Sequence, residues 1–103
     1  MEKNDILKIA TLPDGRLGVF PEKKDGSFQH VYREAAGVYW DEERSCFKST
    51  EIREWSYAQW YKHILKVVAS GLGILLLMTP ETEIESREDF ETQIRTADME
   101  FHR

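Results

Sequence analysis

Three histidines, a single cysteine and one run of three acids are the side chains of this 103-residue chain whose types suit chemistry. His30 lies in a stretch where Phe28, His30 and Tyr32 alternate with Gln29, Val31 and Arg33. If that stretch is a strand, side chains two apart share a face, and His30 stands with the two aromatic rings. Cys46 falls in a neighbouring hairpin, and a thiol beside an imidazole is the pair that nucleophilic catalysis uses. Neither residue carries the glycine-rich turn or other flank that marks a catalytic nucleophile. The residues therefore favour a small buried Cys46 and a strand His30 with one nitrogen satisfied, leaving both as weak pocket candidates.

The other candidates offer less. A calcium loop needs oxygen ligands at alternate positions with a glycine at the turn, and Asp41-Glu42-Glu43 is followed by none. The run reads as solvated turn residues. His63 has no histidine or acid partner at helical spacing, so it offers no zinc pair and reads as a surface histidine. Gly71-Leu72-Gly73 lacks the third glycine and following helix of a dinucleotide fingerprint. No catalytic residue, metal or cofactor is expected.

Aromatic residues exceed what a plain core requires. Nine of the twelve fall between Phe28 and Tyr61, and Tyr39, Trp40, Trp55, Tyr57, Trp60 and Tyr61 crowd a short span. Tyrosine and tryptophan suit surfaces that bury area against a partner while a polar tip stays wet. Tyr39 and Trp40 must point to opposite faces of a strand, and Trp55 lies outside the apolar arc of the helix that follows it. One or two rings are thus left for an interface or pocket.

Charge is uneven along the chain. Residues 1–78 hold eleven acids and eleven bases, whereas residues 79–103 hold eight acids against Arg87, Arg95 and Arg103, so the net charge of -5 resides in the last quarter. A nucleic-acid role is disfavoured, because Lys8, Arg16, Lys23, Lys24 and Arg33 make at most a weak local patch within a balanced region. Met1 to Lys8 lacks the basic start and apolar run of a signal peptide. The longest uncharged stretch, Val67 to Met78, is shorter than the roughly 20 residues a membrane span needs. A single cysteine fits a reducing compartment. The expectation is one cytoplasmic domain over residues 1–103, with no membrane and no nucleic-acid partner.

The elements that must position these residues read as an α+β fold. Ile6–Leu12 and Arg16–Phe20 flank Pro13-Asp14-Gly15, a type I turn with a bulge. Phe28–Arg33 adds a strand, and Val38–Trp40 with Cys46–Lys48 a second hairpin. Ser56 and Gln59 form a capping box, and Trp55 and Trp60 have the spacing of a hydrophobic staple. They predict a helix over about 56–70, with Tyr57, Trp60, Tyr61, Ile64, Leu65, Val68 and Leu72 on its apolar arc and Gly71 as its stop. Ile74–Met78 reads as a buried central strand. Thr82 or Ser86 caps a last helix, with Phe90, Ile94, Ala97 and Phe101 as its narrow apolar stripe and Glu88, Asp89 and Glu91 in its first turn. The whole is an antiparallel β-meander of four to five short strands, then helix, buried strand and C-terminal helix, one sheet layer packed by helix.

Two functional classes follow. The first is a non-catalytic binding module that pairs with itself or with another protein, an inhibitor or immunity-type partner of a basic protein included. Tyr39, Trp40, Trp55, Trp60, Phe90, Ile94 and Phe101 are its interface candidates. The second is a small-ligand carrier or small enzyme with a pocket between sheet and helix, using His30, Cys46, Tyr39 and the acids at 41–43.

Overall fold

The first hairpin closes through Leu12-Pro13-Asp14-Gly15. The Gly15 amide donates to the Leu12 carbonyl at 2.8 Å, and Leu12 N–H donates to Arg16 O at 2.7 Å. Gly15 takes a φ of 87°, the left-handed residue that a type I turn with a bulge requires. The structure is a computed structural model that describes residues 1–34, 36–85 and 89–103.

Strands β1 (Glu2–Thr11) and β2 (Leu17–Pro21) form this hairpin, and β3 (Val38–Asp41) and β4 (Cys46–Ser49) form the second. Helix α1 (Tyr57–Leu72), β5 (Ile74–Ile84) and helix α2 (Phe90–Phe101) complete the order. The α+β class is as the sequence reads, with one five-stranded sheet ordered β3-β4-β2-β1-β5. The sheet is mixed rather than a pure meander. Here β4, not β3, lies antiparallel beside β2, while β5 runs parallel to β1.

Segment 28–33 is not a strand. Gly26–Glu34 forms a 3₁₀ helix. Asp25 starts it: its side chain accepts from Ser27 N–H at 2.8 Å and its carbonyl from Phe28 N–H at 3.1 Å. Phe28 and Val31, three residues apart, are both buried, which matches three residues per turn. The apparent two-residue alternation hides a three-residue period.

The main helix begins as its sequence dictates. Ser56 Oγ accepts from Gln59 N–H at 3.2 Å, and Gln59 Oε1 accepts from Ser56 N–H at 2.8 Å. Its end differs from expectation. Gly71 stays helical, and Gly73 is the stop, with φ 68° and its N–H on Ala69 O at 3.1 Å. Val68 and Leu72 extend the apolar arc by one turn, so packing carries the helix through Gly71 to the next residue that accepts a left-handed backbone.

Strand β5 is an edge strand, not a central one, and continues past Pro80. Its burial falls away beyond Leu76. Between the pairs Ile6↔Met78 and Lys8↔Glu83, β5 advances five residues while β1 advances two. Thr82 fixes this excursion, donating from Oγ1 to Ile6 O at 2.6 Å and accepting from Thr79 N–H at 2.9 Å. Thr82 is therefore a strand residue, and Ser86 and Glu88 lie outside the described residues. Asp89 precedes α2 without a side-chain capping bond.

Side chains between the sheet and α1 make the core. Ile6, Ile9, Leu17, Val19 and Phe47 from the sheet meet Trp60, Tyr61, Ile64, Leu65 and Val68. Helix α2 docks on α1 through buried Phe90, Ile94 and Ala97, with Phe101 packed alongside. Tyr61 donates its hydroxyl to Asp98 at 2.7 Å, and Lys62 pairs with Glu100 at 3.0 Å. No helix among the described residues is long and apolar enough to cross a membrane.

Candidate protein-binding surface

Strand alternation divides β3 and β4 between two environments. Trp40 points to the core face, edge-on to Phe28 and Phe47 with centroids 5.1 and 4.9 Å away. Its indole N–H donates to Glu42 Oε2 at 2.6 Å. Tyr39 points the other way, onto the sheet face opposite α1, and is 42% exposed. The two rings thus occupy opposite faces, as the sequence requires.

Trp55 precedes the helix cap and lies against Trp60, ring centroids 4.9 Å apart, closing the hydrophobic staple. Trp60 is buried, whereas Trp55 is 41% exposed. His63 is not a simple surface histidine. Its ring is edge-on to Trp55 and Trp60 at 5.0 and 5.4 Å, and its Nε2–H donates to the Ala36 carbonyl at 2.7 Å. Gly37 makes room for this cluster, since a Cβ there would lie 3.0 Å from Trp60 Cη2.

Between Tyr39 and Trp55 runs the β4–α1 loop. A hollow of about 280 Å³ is lined by Thr50, Glu51, Arg53, Glu54, Trp55 and Trp60. A second, of about 450 Å³, is lined by Arg16, Tyr39, Thr50, Glu51 and Arg53. The two share Thr50, Glu51 and Arg53 and so form one continuous surface with an exposed ring at each end. Arg53 Nη2 and Glu51 Oε2 pair at 2.7 Å in its middle, which holds Glu51 below the usual carboxylate range. Sequence reading found the two aromatic ends and missed the loop. A mixed Glu-Ile-Arg-Glu stretch just before a helix cap is the signal that locates it.

The remaining candidates are spent elsewhere. Cys46 is fully buried, and burial first, then the charge of Asp41, pushes its thiol up to about 12, which leaves no thiolate at neutral pH. It alternates with core-facing Phe47 and so lies on the open side of the sheet. His30 belongs to the 3₁₀ helix, which packs on β3 and α1 at the core side. The sheet separates them, so no Cys–His pair forms. His30 Nδ1 is buried with no hydrogen-bond partner among the described residues.

Asp41 is a turn anchor. It accepts from Arg44 N–H at 3.0 Å and lies 3.4 Å from Lys48 Nζ, contacts that hold its carboxyl below the usual range. Among the described residues no group of three histidine, cysteine or acidic side chains is placed to hold a metal. Phe90 and Ile94 are buried against α1 and offer no surface, and Phe101 is half-buried beside them. Fully buried Ile9, Leu17, Val19, Phe47, Tyr61 and Ile64 occupy the space between sheet and helix, where the alternative carrier or enzyme reading places its pocket. The side chain of Arg33, one of the five cations of the weak basic patch, lies outside what is described.

Among the described residues the fold is a small α+β domain of one mixed five-stranded sheet, two α-helices and a 3₁₀ helix. The chain belongs to the family of the Integron Cassette Protein Hfx_Cass5, whose family model matches residues 5–82. The solved structure of that cassette protein, from the mobile metagenome of North West Arm Sewage Outfall, is 31% identical over 96% of this chain and 98% of its own, with a TM-score of 0.48. No curated protein matches the chain.

Proposed function

We propose that this chain is a non-catalytic binding module that pairs with a second copy of itself through the surface between Tyr39 and Trp55. The observation that carries this is Trp55, which packs at a tilt against a buried ring and still leaves two-fifths of itself in solvent. Tryptophan, tyrosine and arginine are the residues enriched where interfaces concentrate binding energy, and all three lie on this surface.

Charge selects a like partner. A two-fold interface sets one patch against itself, so the patch must be self-complementary. Arg16 and Arg53 with Glu51 and Glu54 give it two charges of each sign. The molecule as a whole, at -5, repels its copies, which leaves a charge-balanced patch as a favourable place to meet.

Light scattering over a concentration range tests the reading. A wild-type mass near twice 12.1 kDa that falls to the monomer value in Trp55→Ala supports it. A monomeric wild type overturns it and assigns the same rings to an unlike protein, for which the net acidity suits a basic surface. A dimer that survives Trp55→Ala and Tyr39→Ala overturns the placement of the interface.

A further inference from the structure

The sheet face turned away from α1 has a depression above the small residue Ala10. The cross-strand partner of Ala10 is Gly18 in β2, whose open side its neighbours fill. Leu12 and Phe20 lie over Gly18, where a Cβ would come within 2.9 Å of Leu12 Cδ2 and 3.2 Å of Phe20 Cε1. The result is a hollow of about 430 Å³ with Ala10, Leu12, Pro13 and Phe20 as its apolar floor. That volume falls within the range of small-ligand sites.

Opposite charges stand side by side at its rim. Lys8 and Glu83 both line the hollow and are partners in the parallel β1–β5 register, on strands about 4.8 Å apart. The Lys8 ammonium rests 5.3 Å from the centre of the Phe20 ring. Arg44 adds a second cation at the rim. Glu85, the other acid there, is engaged by the N–H and hydroxyl of Thr11. From this juxtaposition of the register partners Lys8 and Glu83 over an apolar floor, we infer that the hollow binds a free apolar α-amino acid.

Such a ligand carries its carboxylate and ammonium on one carbon, the complement of the rim. Its carboxylate meets Lys8 and Arg44, its ammonium meets Glu83, and its side chain lies on Ala10, Leu12 and Phe20. A simple acid meets only the rim cations and a simple amine only Glu83, so each forgoes one of the charge contacts that an amino acid makes. The site is separate from the Tyr39–Trp55 surface, and the inference stands or falls without it.

Titration of the labelled chain with L-phenylalanine, followed by amide shifts, tests this. Saturable shifts at Ala10, Phe20 and Glu83 are expected, with N-acetyl-L-phenylalanine and L-phenylalaninamide at least about tenfold weaker, since each lacks one rim contact. Lys8→Gln and Glu83→Gln, both exposed positions, should each weaken binding by a similar factor, and Ala10→Leu should abolish it by filling the floor. Should Ala10→Leu fail to fold, the two rim variants still decide. An absence of saturable shifts, equal binding of the blocked analogues, or binding indifferent to both rim variants overturns the inference.

Discussion

The Tyr61 hydroxyl donates to Asp98 Oδ1 at 2.7 Å and so ties the second turn of α1 to the last turn of α2. Asp98 also lies 3.5 Å from His102, one turn further along its own helix. The apolar stripe of α2 is thus answered within the chain, by α1. Tyr61→Phe is expected to lower stability by about 1 kcal/mol, the size of one such hydrogen bond. Removing the segment from Phe90 onward uncovers α1 and should unfold the protein, not release a folded monomer. A truncated chain with native circular dichroism and an unchanged urea midpoint would show the α2 packing to be dispensable.

The two indoles in contact should separate by mutation. Trp60→Ala removes a buried ring and should cost roughly 3–5 kcal/mol. Trp55→Ala removes only the staple and should cost less than about 1 kcal/mol while abolishing self-association. Urea midpoints and solution mass, measured on both variants, check the division; similar losses of stability in the two would contradict it.

Ser56→Ala leaves the Gln59 amide at the start of α1 without its acceptor and should cost about 1 kcal/mol. A denaturation midpoint equal to wild type would refute the cap.

Alkaline conditions should destabilise the fold. Burial holds the Cys46 thiol up at about 12, from 9.0. Burial, and then the bond to Asp98, raise the Tyr61 phenol above its ordinary 10.0. Above those ordinary values the unfolded chain loses these protons while the folded chain retains them. Stability is therefore full below about pH 9 and falls as pH rises, by up to about 1.4 kcal/mol per pH unit for each group. Cys46→Ala should shallow the fall between pH 9 and 10, before Tyr61 contributes, and equal slopes in wild type and variant would contradict the assignment.

What was legible in the sequence is what local chemistry decides. Pro13-Asp14-Gly15, the Ser56–Gln59 box and the Trp55–Trp60 staple each act within five residues, and each forms as read. Phe28 to Arg33 misleads because six residues sample a period of two and a period of three almost equally well. The buried pair Phe28 and Val31 is the mark of the latter. Strand order and the parallel partnership of β1 with β5 come from packing across the whole chain, so Ile74–Met78 looked central from its apolar run alone. The exposed ends of the candidate surface, Tyr39 and Trp55, followed from alternation and helix geometry. Its middle, Glu51 and Arg53, and the hollow over Ala10 needed the tertiary fold, because a small residue shows its purpose only beside its cross-strand neighbours.

The parallel pairing of Glu2–Ile6 with Ile74–Met78 sets an order on folding. The first hairpin can form from some twenty contiguous residues, but one flank of β1 has no strand beside it until the chain has traversed β3, β4 and the whole of α1. Closing so long a loop is entropically slow. During synthesis the bare flank of β1 is therefore the last part of the sheet to be covered, and an unpaired strand edge is a template for mispairing. Nascent chains should depend on whatever keeps Glu2–Ile6 apart from other strands until residue 84 has left the ribosome.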